Sequence, residues 1–501
     1  MHVKDENSDP ATRCARLTSP ESASPVFEVA ISSADPTAAS RTFTVTGTGS
    51  AAGSRKTCRY DLPGIQHSVY LDFFEGLACD FGTRVPRNRL PREVFDFEAP
   101  LRPILTCNAF PDILYGYGDP AMVRVVETSV DGAETWYYLL VTSNDAPNAS
   151  PILRSRDLTD WQLAGFVFPK GHGAPWAADL EHGGEHWAPE MHAVAGGFLV
   201  CFAARGKDHT FAIGLAKSSR PYGPFVAADE PILRGDVIDP HIFVDLNGEV
   251  FLFWKEDTNG LWPDRLSQLL HEHGNLISKL FTRPEDQRTA TFAATLWPWA
   301  RAVGHMERFF AQQTLIEAVV AEFSTFRSRL ASLAETEPDQ TVRDVAADIL
   351  RLTLTPVYAQ RLDTETLTLV GERSVVLQND SEWEGHLVEG VWVTEHRGRY
   401  YMFYAGNDFS TAQYGIGVAV AHAPLGPYQK MAAPLLRSTR DWSGPGHPSV
   451  ADGPDGEPCL FLHAFFPGRN GYKEFRALLA TPIVFEADRV VLRHQPDGRR
   501  H

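Results

Sequence analysis

The chain has no apolar run approaching the roughly 18 residues that a membrane span needs. Its first residues, MHVKDENSDPATRC, lack the apolar stretch of a secretory leader. Both absences lead to the expectation of a cytoplasmic protein with no membrane partner. Cysteine is scarce: six residues, at 14, 58, 79, 107, 201 and 459, are dispersed and form no C-x-x-C pair. That argues against a finger-type zinc site and against a disulfide framework. Basic residues are outnumbered, 46 Lys and Arg against 63 Asp and Glu. The resulting net charge of −17 removes the positive field on which nucleic-acid binding depends. Apolar residues, by contrast, make up 43% of the 501, enough for a large core.

The apolar residues are arranged in a recurring unit. It appears as GDPAMVRVVETSVDGAETWYYLLVTS from Gly118, WAPEMHAVAGGFLVCFAA from Trp187 and IDPHIFVDLNGEVFLFWK from Ile238. It returns as VEGVWVTEHRGRYYMFYAG from Val388 and GPGHPSVADGPDGEPCLFLHAF from Gly444. Each copy has a polar or acidic opening, a short strand, a Gly-containing turn and an aromatic-rich second strand. In the third, Asn247-Gly248 is a dipeptide suited to a type I′ hairpin turn. Further strand signals lie between the openings, among them FAIGLAKSSRPYGPF and YGIGVAVAHAPLGPY, which match each other. Four short strands per unit of about 50 to 70 residues is the pattern of a propeller blade. The expected fold is therefore all-β, a five-bladed β-propeller over residues 106–490.

Two regions depart from this pattern. Residues 1–105 are rich in Ser, Thr, Ala and Pro. They read as an extension, partly flexible over its first 25 or so residues and β-rich near RTFTVTGTG and HSVYLDFF. The interval between the third and fourth openings is more than twice any other, and the excess, residues 263–354, is helical in pattern. Leu315, Ile316, Val319, Val320, Phe323, Phe326 and Leu330 recur at spacings of three and four. Near TEPDQTVRDVAADIL, Thr336 and Asp339 resemble a capping box for a further helix. The strand directions place this insertion in the third blade on the face of the openings. It is expected to wall or cover a pocket or to pack against a second copy in a homo-oligomer, the plain alternative being a surface excursion packed on itself.

In a propeller the innermost strands start at one end of the central channel, so the residues opening them converge. Here those are Asp119, Glu190, Asp239, Glu389 and His447. Several carboxylates at one channel mouth repel one another and separate their pKa values, the condition for an acid and a base to coexist. For a single Asp-Pro step the alternative is a mere strand start after a turn. Trp187 and Trp392 offer either a stacking wall for a sugar ring or ordinary core packing. Glu190 either faces the channel or pairs with an arginine. His271 and His273 have no third ligand nearby and read as a solvated surface.

Taken together and in order, GDPAMVR, ILRSRDLTDW, HWAPEM, GLAKSSRPYGPF, VIDPHIFVDLNG, WEGHLVEGVWV and GPGHPSV resemble glycoside hydrolase family 43 over about residues 102–490, the helical insertion aside. The resemblance implies a five-bladed propeller acting on arabinose- or xylose-containing saccharides. It makes Asp119 the general base, Asp239 the carboxylate that orients the acid and raises its pKa, and Glu389 the general acid. It gives His447 a place beneath the sugar, where a structural calcium or a water would lie, and it requires no cofactor. Terminal α-L-arabinofuranosyl or β-D-xylosyl residues are the expected substrate. A galactan- or galactofuranose-directed hydrolase of the same fold and a non-catalytic saccharide-binding propeller are the alternatives.

Overall fold

The computed structural model describes residues 97–493 apart from 130–131, 180–184, 304 and 472–473, together with the backbone of four N-terminal strands. The chain divides into two compact units, one combining Met1–Arg89 with Asn259–Thr353, the other Leu90–Thr258 with Leu354–His501.

The larger unit is built of five antiparallel sheets, each following the chain from strand to adjacent strand. The first comprises Ala121–Ser129, Gly132–Leu140, Ala149–Ser155 and Trp161–Phe168. The second has His186–Val194, Gly197–Arg205 and Phe211–Ser218 with two short pieces at its edge. The third has Val237–Val244, Val250–Glu256, Pro356–Asp363 and Thr368–Gln378. The fourth has Val388–His396, Arg399–Gly406, Gly415–Ala421 and Gln429–Lys430. The fifth has Ser443–Asp452, Pro458–Phe465, Arg476–Glu486 and Arg489–Leu492. Arg102–Leu105, expected to end the N-terminal extension, pairs instead with Arg476–Glu486 and so belongs to this last sheet. The leading strands pack in cyclic order, the first sheet's on the second's, the second's on the third's, the third's on the fourth's, the fourth's on the fifth's, and the fifth's on the first's.

This packing explains why the central residues of the second strands are mostly apolar. In Val250–Glu256, Phe251 and Phe253 share a core with the fourth sheet, while Val250, Leu252 and Trp254 share one with the second. Alternating side chains of a strand face opposite sides, and here both sides are covered. The turn joining this strand to Val237–Val244 differs from the expected type I′. Leu246, Asn247 and Gly248 form a three-residue loop with Gly248 alone at positive φ, 80°. Asp245 accounts for the difference, because its Oδ1 accepts the backbone N–H groups of Asn247 and Glu249 at 2.9 and 2.8 Å. Such an Asx interaction favours a type I turn followed by a left-handed glycine.

Between the second and third strands of the third sheet the chain is helical, with principal helices Leu261–Glu272, Pro284–Val303, His305–Val320, Phe323–Thr336 and Gln340–Leu352. The seven residues picked out by their spacing, Leu315 to Leu330, lie in a single buried core, divided between two helices rather than one. The final helix is capped by Asp339, which accepts the N–H of Thr341 at 2.8 Å, so the expected box with Thr336 is absent. Thr336 ends the preceding helix instead. Glu337, lying before Pro338, is forced into an extended conformation (ψ 134°) that breaks the helix there. In the N-terminal segment, Arg13–Thr18, Pro25–Ile31, Ser40–Gly47 and Arg55–Asp61 form one antiparallel sheet; HSVYLDFF lies outside the described residues. Among the described residues no helix is long and apolar enough to cross a membrane.

Ile349, fully buried in the helical core, tests whether these helices fold as one body. Ile349→Ala is expected to cost about 2 to 5 kcal/mol in chemical denaturation of the helical unit. A loss within experimental error would contradict a shared core.

Candidate active site

Each sheet of the larger unit opens with a backbone irregularity at the same place. Asp119, Ala188, Asp239 and His447, every one followed by proline, have φ of 53°, 43°, 54° and 48°, and Gly390 has 54°. Left-handed residues of this kind are uncommon outside glycine and cluster where a structure is held strained for function. In the second to fifth sheets the register with the neighbouring strand slips at this position, as at a β-bulge. A bulge re-aims a side chain, and these turn the opening residues toward one another.

Aligned on this feature, the openings are not the five residues expected from sequence. Glu190 sits two residues beyond the left-handed Ala188, and Glu389 one residue before the left-handed Gly390. Glycine is needed at 390 because a Cβ there would lie 2.8 Å from His447 Nδ1. The structure brings Asp119, Asp239, Glu389 and His447 together. Gly390 N–H donates to Asp239 Oδ2 at 3.0 Å, and His447 Nδ1 lies 3.3 Å from Asp119 Oδ1.

Asp119 is the most tightly held. Arg476 Nη1 donates to its Oδ1 at 2.7 Å, Thr142 Oγ1 to its Oδ2 at 2.5 Å, and its own N–H donates to His463 Nδ1 at 3.1 Å. Burial alone would raise its pKa. Arg476, His447, His463 and the Thr142 hydroxyl outweigh burial and hold the carboxyl well below its usual range. Gly118 makes room for this ion pair, since a Cβ there would lie 1.8 Å from the Arg476 guanidinium carbon.

Asp239 behaves oppositely. Burial first, then the charge of Glu389, pushes its carboxyl up to about 7 against the opposing effects of His447 and Lys255. Asp239 therefore retains a proton up to about neutrality. Glu389 itself is buried, with Tyr414 O–H donating to Oε1 at 2.9 Å and Lys255 Nζ 3.2 Å from Oε2.

Arg476, Thr142, Lys255, Tyr414 and His463 were not singled out from sequence. Three of them come from the second strands or just beyond, which run antiparallel to the leading strands and end where those begin. Lys255 pairs in register with Ile238, next to Asp239, and His463 with Gly446, next to His447. A lone charge closing an apolar strand, as in FLFWK, was the available signal.

Glu190 and Trp392 lie in the next inward layer. Glu190 Oε2 is 2.7 Å from His241 Nδ1 and 2.9 Å from His192 Nε2, while the buried Trp392 ring packs on both histidines at 5.0 and 5.3 Å. Glu190 thus pairs with histidines rather than an arginine. Trp187 is half-buried and packs 4.1 Å from Phe211. The donor atoms of Glu190, His192 and His241 fall within 4.8 Å of one another, close enough for a metal site. Protonation opposes that use. Burial drives His241 down to about 3, so its ring is neutral, and Nε2 accepts the Val393 N–H at 2.9 Å. Nδ1 therefore carries the ring proton and donates it to Glu190, leaving no lone pair for a metal. At His447, calcium would call for six to eight oxygen ligands, of which the residues described there offer Asp119.

One buried carboxylate held ionised by arginine, facing a buried carboxyl pair that retains a proton near neutrality, is the arrangement of an acid/base glycosidase site. The chain belongs to glycosyl hydrolase family 43, whose sequence profile matches residues 117–300 and 353–491. It is 30% identical to "Xylosidase/arabinosidase 43A" of Humicola insolens over 147 residues, which are 29% of this chain and 42% of that protein. It is 21% identical to a "Xylosidase/arabinosidase" of Bacteroides ovatus over 316 residues, 63% of this chain and 73% of the relative. Among solved structures, a thermostable family-43 glycoside hydrolase superposes with a TM-score of 0.51 and 23% identity, covering 77% of this chain and 97% of that one.

The raised Asp239 carboxyl has a sign that stability measurements can read. Its unfolded value is near 3.8 and its folded value near 7, so its contribution is fully present below pH 4 and is lost as pH rises through 7. Asp239→Asn should therefore gain stability relative to the unsubstituted protein between pH 5 and pH 8. A difference that does not vary with pH would show that Asp239 is ionised throughout.

Proposed function

We propose that the chain is an inverting glycoside hydrolase built on a closed five-bladed propeller, releasing terminal α-L-arabinofuranosyl or β-D-xylosyl residues from oligo- or polysaccharides. Support for the propeller is the cyclic packing of five leading strands. Support for the sugars is the likeness to the two xylosidase/arabinosidase relatives. The observation that carries the reading is the contrast between Asp119, clamped by Arg476 and Thr142, and the buried Asp239 and Glu389 pair.

In this mechanism Asp119, ionised across the working range, takes a proton from water as the water attacks the anomeric carbon. Glu389 gives its proton to the departing glycosidic oxygen. Asp239 keeps a proton available to Glu389 and, through the Gly390 N–H, fixes the backbone beside it. Inversion requires base and acid on opposite faces of the sugar, roughly 6.5 to 9.5 Å apart, so that the water fits between.

Hydrolysis of aryl α-L-arabinofuranoside, β-D-xyloside, β-D-galactofuranoside and β-D-galactopyranoside tests the reading. One of the first two should turn over, and Glu389→Gln should lower kcat/KM by about 10²- to 10⁴-fold, less on activated leaving groups. Asp119→Asn should lose activity without such relief. Turnover of a galactoside alone would reassign the sugar; no turnover by the unsubstituted protein, with sugar still bound, would make it a binding propeller.

A further inference from the structure

Among the described residues, Lys255 is the cation that touches Glu389. Its side chain is 1% exposed. The ammonium closes the apolar strand Val250–Glu256, stands across from Ile238 in the neighbouring strand, and lies 3.2 Å from Glu389 Oε2. Burial would lower its pKa, yet Glu389, Asp239 and Asp257 together hold it charged. Such a group is expensive to bury, and a strand surrounded by Phe, Trp and Leu has no packing need for it.

The chemistry of its contact is directional. An ammonium has three donors and no acceptor, so the carboxyl oxygen facing it cannot carry a proton toward it. The other oxygen, Oε1, meets the Tyr414 hydroxyl at 2.9 Å, and a hydroxyl can donate to a carboxylate or turn and accept from a carboxylic acid. Tyr414 is itself fixed beside this place by Gly446, where a Cβ would lie 1.8 Å from the tyrosine ring.

We propose that Lys255 is a positioning residue that confines the acid proton of Glu389 to Oε1 and lowers the pH at which the Asp239 and Glu389 pair gives that proton up. In the step this serves, the proton passes from Oε1 to the glycosidic oxygen as the bond from that oxygen to the anomeric carbon breaks. Water's oxygen forms the new bond and its proton goes to Asp119, so charge and atoms balance. The ammonium also stabilises the Glu389 carboxylate left behind. The other groups acting on the pair are His447, Asp119 with its partner Arg476, Asp257 and Tyr414, with Glu190, His192 and His241 in the layer beneath. Among these, Lys255 is the cation in direct contact with Glu389.

The inference rests on the hydrolase reading for its consequence and not for its test. The carboxyl carbons of Asp239 and Glu389 are followed by 13C NMR from pH 4 to pH 10 in full-length protein, alongside the pH profile of kcat/KM. Lys255→Met should move the upper titration midpoint of the pair, and the alkaline limb of the profile, upward by about 1 unit or more, the usual effect of an opposite charge at this distance. Lys255→Arg should restore both. A midpoint unmoved in folded Lys255→Met, or moved equally by Lys255→Arg, would overturn the proposal whether or not any glycoside is turned over. If the methionine variant fails to fold, Lys255→Gln is read by the same criteria. Failure of the hydrolase reading would appear separately, as absent turnover in the unsubstituted protein with the NMR shift intact.

Discussion

The site depends on burying three carboxylates within one cluster and still folding. Carboxylates placed this close in a medium of low dielectric repel one another by several kcal/mol unless countercharges or protons intervene. The structure uses both. Arg476 neutralises Asp119, Lys255 neutralises Glu389, and burial with like charge makes Asp239 retain a proton up to about neutrality. This division of countercharges makes three chemically similar groups unequal. The carboxylate that meets arginine stays ionised, while Asp239 keeps a proton.

The fold supplies the positions by repetition. Every leading strand begins with a left-handed residue and most with a bulge, so one backbone device serves five times while the side chain on it changes: Asp, Ala, Asp, Gly and His. Where the device carries glycine, the adjacent Glu389 brings the carboxyl to Lys255 and Tyr414. The second strands return to the same end and deliver Thr142, Lys255 and His463. A layer further in, Glu190, His192, His241 and Trp392 form a hydrogen-bonded and stacked floor. It ties the second and third sheets to the fourth through the Val393 N–H.

The carboxylates were legible in the sequence because each stands at an abrupt boundary between turn residues and an apolar strand, a pattern that repetition makes visible. Their countercharges were not. Arg476 and Lys255 each look like an ordinary charge at the end of a strand, and only the cross-strand register shows which end of the sheet they reach. Glu190, expected among the opening residues, stands two residues beyond the left-handed Ala188 and so lies one layer inward. The same limit applies to turns. Asn247-Gly248 suggested a two-residue loop, but Asp245, a residue that binds backbone N–H groups, decided the geometry. The helical residues were recognisable by period, and the end of the helix Phe323–Thr336 followed from Pro338 and not from the capping pair.

The central claim is that Asp119 and the Asp239 and Glu389 pair act from opposite faces of one sugar. The most direct measurement is the configuration of the sugar as first released, followed by 1H NMR of the anomeric proton before mutarotation. The account predicts inversion, with the product appearing first as the anomer opposite to that of the substrate. First appearance of the retained anomer would require a covalent intermediate on one of these carboxylates, and would contradict the assignment of Asp119 as a base acting through water.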